Sequence, residues 1–92
     1  MAIRITAIHI PSGTEHADVA EVEWVSIEHK NEGCSRREAI VDWLESDPTN
    51  IAVVGRGSKA TPVTVMRDGE RAWIQAVFLG APSNKLLELP RY

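Results

Sequence analysis

Apolar residues alternate with polar ones along most of this chain, and the period changes once. From Ala2 to Ile10 the segment AIRITAIHI is rich in β-branched residues with a short period, and Pro11-Ser12-Gly13 ends it, which predicts a strand. A second strand is expected from about Asp18 to Ile27. There Ala20, Val22 and Trp24 alternate with Glu21 and Glu23, so one face is buried and the other wet.

The period then becomes helical. Ile40, Trp43 and Leu44 fall on one stripe, Ser35 and Glu38 have capping-box spacing, and Asp47-Pro48 stops the run because a residue before proline avoids the α region. Ile51–Val54 reads as a short strand, and Gly55-Arg56-Gly57-Ser58-Lys59 as a flexible turn. Two further strands flank Asp68-Gly69, a strong hairpin signal. A loop of those two residues pairs Arg67 with Glu70, Val65 with Ala72 and Val63 with Ile74. It puts Thr64, Met66, Arg71, Trp73, Gln75 and Val77 on the opposite face. The expected architecture is a single α+β domain over 1–92, β-β-α-β-β-β, an antiparallel sheet with one helix packed on one face.

Ninety-two residues bury one core, and the 43% hydrophobic share is ordinary for a globular chain. Cys34 is the only cysteine, which excludes an intramolecular disulfide and points to a reducing compartment, with the cytoplasm as the default. No apolar run approaches the roughly 18 residues of a membrane span, so no membrane role is expected. The net charge is −3 and uneven: ten acids face four bases up to Asp47, and six bases face three acids from Pro48 onward. Either the halves interleave and cancel, or the surface carries two signs and suits a partner of mixed charge.

The sequence offers surfaces more than chemical sites. Gly55–Lys59 lacks the spacing of a phosphate loop, and Pro62 forbids the helix such a loop needs. His9, His16, His29 and Cys34 show no paired metal-ligand spacing, so neither metal nor cofactor is expected. His16, beside Glu15 and Asp18, is either a base held by a carboxylate or a solvated loop histidine. Cys34 before a helix start is either an activated or an inert thiol. Arg36 and Arg37 in a first helical turn, where the dipole disfavours cations, either clamp an anion or pair with neighbouring acids such as Glu32. Trp73 with Met66 and Arg71 is either an exposed hot spot or lies under a folded-back Leu86-Leu87-Glu88-Leu89. No catalytic set assembles, and the expectation is a non-catalytic binding module.

Arg4-Ile5-Thr6, His16 before Val19, Val22 and Trp24, the helix Arg37–Leu44, and Asn84-Lys85-Leu86-Leu87-Glu88-Leu89-Pro90-Arg91 together resemble the small bacterial and phage family known as domain of unknown function 3892. That family usually carries Asp-Asn before its Leu-Leu, where Asn84-Lys85 stands in this chain. It has no assigned activity, so the resemblance implies a fold and a microbial origin. In size, acidity and build, with no shared motif, the chain also resembles phage anti-CRISPR proteins. That likeness implies an inhibitor docking on a type I-F CRISPR–Cas surveillance complex and blocking hybridisation of target DNA. The residues expected to meet such a partner are Arg36, Arg37, Arg56, Lys59, Arg71 and Trp73. The alternatives are a small-ligand or accessory domain centred on His16 and the C-terminal segment, and direct single-strand binding by the basic residues around Trp73. A homodimer through a sheet edge is compatible with either.

Overall fold

The computed structural model describes residues 1–92 as one α+β domain built on a seven-stranded sheet. Its strands are β1 (Ala2–His9), β2 (Glu21–Ser26), β3 (Glu32–Arg36), β4 (Ile51–Val54), β5 (Thr61–Asp68), β6 (Arg71–Phe78) and β7 (Ala81–Ser83). The helix α1 (Arg37–Ser46) lies between β3 and β4. The spatial order is β3-β2-β1-β4-β5-β6-β7. Every neighbouring pair is antiparallel except β1 and β4, which are parallel. The helix explains that exception: it carries the chain from β3 over β2 and β1, so β4 starts in the direction of β3, which is also that of β1.

One face of the sheet is the core. Ile3, Ile5 and Ile8 of β1, Val22 of β2, Ala52 and Val54 of β4, Val63 of β5, and Ile74 and Ala76 of β6 are all buried. Ile40 and Val41 of α1, together with Val19 and Leu86, complete the cluster. Trp43 and Leu44 pack at its margin. The C-terminal segment joins this core: Leu86 is fully buried, and the amide of Ile8 donates to the carbonyl of Pro90 while that of Tyr92 donates to Ile8. It therefore extends the main core and does not form a second one over Trp73.

Three local expectations are corrected. The helix begins at Arg37 with Arg36 as its extended N-cap, and no side chain caps it. Ser35 is instead the β3 partner of Val22, and its hydroxyl accepts from Trp24 Nε1 at 3.0 Å. The β5–β6 loop is Gly69-Glu70, pairing Asp68 with Arg71, Val65 with Ile74 and Val63 with Ala76. Gly69 at φ 63° supplies the positive φ that a type II′ turn needs at its first central position, so Asp68 stays in the strand. Moving the loop by one residue shifts each β5 residue's partner by two, which preserves the faces. Finally, β3 and β7 are additional strands.

The β6–β7 loop is Leu79-Gly80, with φ of 52° and 81°, the signature of a type I′ turn. A leucine there carries a left-handed backbone costing ~1–2 kcal/mol. Nothing in the fold recovers that cost, because Leu79 is 91% exposed.

Candidate functional site

The two hairpin turns decide which backbone groups of β6 face which neighbour. In two-residue hairpins the flanking residues are hydrogen-bonded pairs, so Arg71 bonds to β5 and Phe78 bonds to β7. Alternation then turns the amides and carbonyls of Ala72, Ile74 and Ala76 toward the β7 side. The prolines agree: Pro62 lies opposite Val53 and Pro82 opposite Val77, both non-bonded positions. β7 stops at Ser83, opposite Ala76. Ala72 and Ile74 thus face an edge with no strand beside it.

What stands at that edge is a 3₁₀ turn, His16–Asp18, packed against β6. Its loop is shaped by Asp18, whose carboxylate accepts from the amides of Thr14 and Glu15 at 3.1 and 3.0 Å. Gly13 has φ 98°, and a Cβ there would sit 2.1 Å from that carboxylate, so glycine is required on both counts. Ile74 is fully buried, whereas Ala72 at the lower end of the edge is only half-buried.

Beside Ala72 a cleft of about 440 Å³ opens between β6, the start of α1 and the 3₁₀ turn. Arg37, Arg67 and Arg71 face Glu38, Asp42 and Glu70 around it, with Trp73 in its wall. Arg71 is exposed and its guanidinium lies 5.9 Å from the Trp73 ring centroid, a cation–π arrangement. Trp73 is half-buried, and its Nε1 donates to Gln75 Oε1 at 3.2 Å. Arg67 pairs with Glu45. Arg37 donates to the carbonyls of Ala17 and Val19, which ties α1 to the 3₁₀ turn, and pairs with Glu38 at 3.5 Å. Its Nε is buried without a partner.

Of the six residues expected to meet a partner, Arg37, Arg71 and Trp73 therefore share one cleft. Arg36 does not: it ends β3 opposite Glu21 and does not line the cleft. Arg56 and Lys59 flank the exposed Gly57–Lys59 turn before β5, at the other end of the sheet from the Gly69-Glu70 loop. Arg67, one of the basic residues around Trp73 in the single-strand alternative, also lines the cleft, whereas Ala17 had no distinguishing signal in sequence, since the 11–18 loop has no periodicity.

His16 lies at the far end of the same edge, lining a second depression with Glu15, Asp18, Arg71, Trp73, Gln75 and Asn84. It is buried, and Nε2 has no hydrogen-bond partner. Burial lowers its pKa below the ordinary 6.5, against smaller raising effects from the Ser83 backbone and Glu15. Asp18 is committed to backbone amides, so the base-and-carboxylate pair read from the sequence is not formed. Cys34 lies on β3 with its sulfur 3.2 Å from the Tyr92 hydroxyl and 3.6 Å from Glu21 Oε1, and no histidine hydrogen-bonds to it. Burial and the nearby thiol and carboxylates push the Tyr92 phenol upward. No three His, Cys, Asp or Glu side chains converge as a metal site, and no helix is long and apolar enough to cross a membrane.

No family model, curated protein or solved structure matches this chain.

Proposed function

We propose that this protein is a non-catalytic binding module that takes an extended acidic segment of a protein partner along the lower edge of β6. The observation that carries the reading is the stacking of Arg71 on Trp73 beside Ala72, whose edge-side amide and carbonyl have no strand. Unpaired strand groups give a partner backbone something to bond, and tryptophan with arginine is the composition of interface hot spots. Arg71 offers a free guanidinium fork to a carboxylate, while Glu38, Asp42 and Glu70 reject a partner that is uniformly acidic.

The test is capture of partners from bacterial lysate by immobilised protein, with and without nuclease. A stoichiometric protein that survives nuclease, and is captured at least tenfold less by Arg71→Ala and Trp73→Ala, supports the reading. Capture lost to nuclease favours direct nucleic-acid binding. The partner suggested by size and acidity, a CRISPR–Cas surveillance complex, is tested in the same experiment by adding that complex and measuring target-DNA hybridisation.

A second reading rests on His16. A buried imidazole nitrogen without a partner, above a depression walled by Trp73 and Asn84, suits a small ligand with one hydrogen-bonding group. On that reading His16→Gln abolishes ligand binding while partner capture through Arg71 persists.

A further inference from the structure

At the opposite end of β6 the chain presents its most exposed apolar residues. Phe78 is 53% and Leu79 91% exposed, and Gly80, Ala81 and Pro82 beside them are also exposed. From Ala72 to Asn84 no residue is charged, so the tip carries no charge of its own. Leu79 holds a left-handed backbone at φ 52° in a turn where asparagine would sit with less strain. The fold gains no packing from this leucine, so whatever favours it lies outside the fold.

The neighbouring loop supplies the other half of the surface. β5 and β6 are antiparallel through Val63 and Ala76, which brings the start of β5 beside the end of β6. The Gly57–Lys59 turn immediately before β5 therefore stands at the same end of the sheet as Leu79-Gly80. Arg56 and Lys59 are exposed there, and no acid occurs between Pro48 and Arg67 or between Arg71 and Leu87. The result is an exposed apolar hairpin tip at the same end of the sheet as two cations, in a protein whose net charge is −3.

We infer that this end of the molecule docks on an anionic lipid surface, with Phe78 and Leu79 entering the interface and Arg56 and Lys59 meeting lipid phosphates. The tip is exposed and apolar at Phe78, Leu79, Ala81 and Pro82, with no side chain to satisfy a structured polar pocket. Lipid asks only for apolar surface at a depth of roughly 5–10 Å and positive charge above it. The two flanking cations are complementary to an anionic interface and not to a neutral one. One apolar turn with two cations makes the contact weak, reversible and sensitive to salt.

The experiment is flotation of the purified full chain with vesicles of equal parts phosphatidylglycerol and phosphatidylcholine, against phosphatidylcholine alone. The wild type floats with the anionic vesicles and not the neutral ones, and raised salt releases it. Leu79→Asn makes the turn Asn-Gly, which favours the same hairpin, so the variant folds; it floats at least tenfold less. Arg56→Ala with Lys59→Ala removes the preference for anionic vesicles. The inference is overturned if the wild type stays unbound with anionic vesicles, or if Leu79→Asn floats as well as it does. It is equally overturned in favour of a protein pocket if Leu79→Asn loses a protein partner while no vesicle is bound. Arg71→Ala and Trp73→Ala leave flotation unchanged, so failure here is separable from failure of the β6 cleft.

Discussion

Trp24 Nε1 donates to Ser35 Oγ at 3.0 Å, and this bond ties the edge strand β3 to β2. Gly33 completes the contact, since a Cβ there would lie 2.3 Å from the Trp24 ring. The serine that could have capped the helix thus serves the sheet. Ser35→Ala should cost about 1 kcal/mol, the net worth of a hydrogen bond to a partly buried donor, and leave helical circular dichroism unchanged. Glu38→Gln, outside any capping box, should stay within about 0.5 kcal/mol of wild type in urea unfolding. Loss of helix signal in Ser35→Ala would restore the capping role.

Two of the cleft's three arginines, Arg37 and Arg71, separate by what they hold. Arg37 donates to two backbone carbonyls and is half-buried. Arg37→Ala should lose about 1.5–3 kcal/mol, the range for hydrogen bonds from charged groups. The exposed Arg71 side chain lies over Trp73 with no side-chain hydrogen bond or ion pair, and Arg71→Ala should fall within about 0.5 kcal/mol. Chemical denaturation of both variants checks the contrast, and equal losses would remove Arg71 as a free recognition group.

Stability should decline in mildly acidic solution because of His16. Its folded pKa lies below the ordinary 6.5, so between those two values the unfolded chain binds more protons than the folded one. Stability is therefore full above pH 6.5, falls as pH drops through that window, and levels off below the folded pKa. Glu28 and Asp47, whose carboxyls are lowered by backbone hydrogen bonds, act in a separate, more acidic range. Urea unfolding at pH 7.5 and 5.5 should show the loss in wild type and a flattened slope in His16→Gln. An unchanged slope would assign the effect elsewhere.

Leu79→Asn should stabilise the fold by about 1 kcal/mol through relief of the left-handed leucine, raising Tm by about 4–8 °C for a domain of this size. Thermal unfolding measures it directly. A lower Tm would mean that Leu79 packs on something within the fold.

The sequence showed the elements whose residues alternate against a single buried face. β1, β4 and the β5–β6 pair were legible because Ile3, Ile5, Ala52, Val54, Val63 and Ile74 carry that signal. The faces of the hairpin survived a misplaced loop, which is how Arg71 and Trp73 could be assigned together. β3 was hidden because Glu32-Gly33-Cys34-Ser35-Arg36 is a half-exposed edge strand with no apolar row, held by the Trp24 side chain of another strand. β7 was hidden because Gly80-Ala81-Pro82 reads as a turn, although proline is tolerated at an edge. The joining of Arg37 to the His16–Asp18 turn depends on carbonyls of Ala17 and Val19, and no side-chain pattern announces a backbone acceptor.

The proposed partner contact makes its most direct claim about one backbone amide. The N–H of Ala72 faces an edge without a strand and should exchange rapidly with solvent in the free protein. Hydrogen exchange measured on the captured complex should show Ala72 slowed at least tenfold, with Arg56 and Lys59 unchanged. Protection confined to Arg36, Arg56 or Lys59, with Ala72 exchanging as in the free protein, would contradict the β6 edge as the binding site.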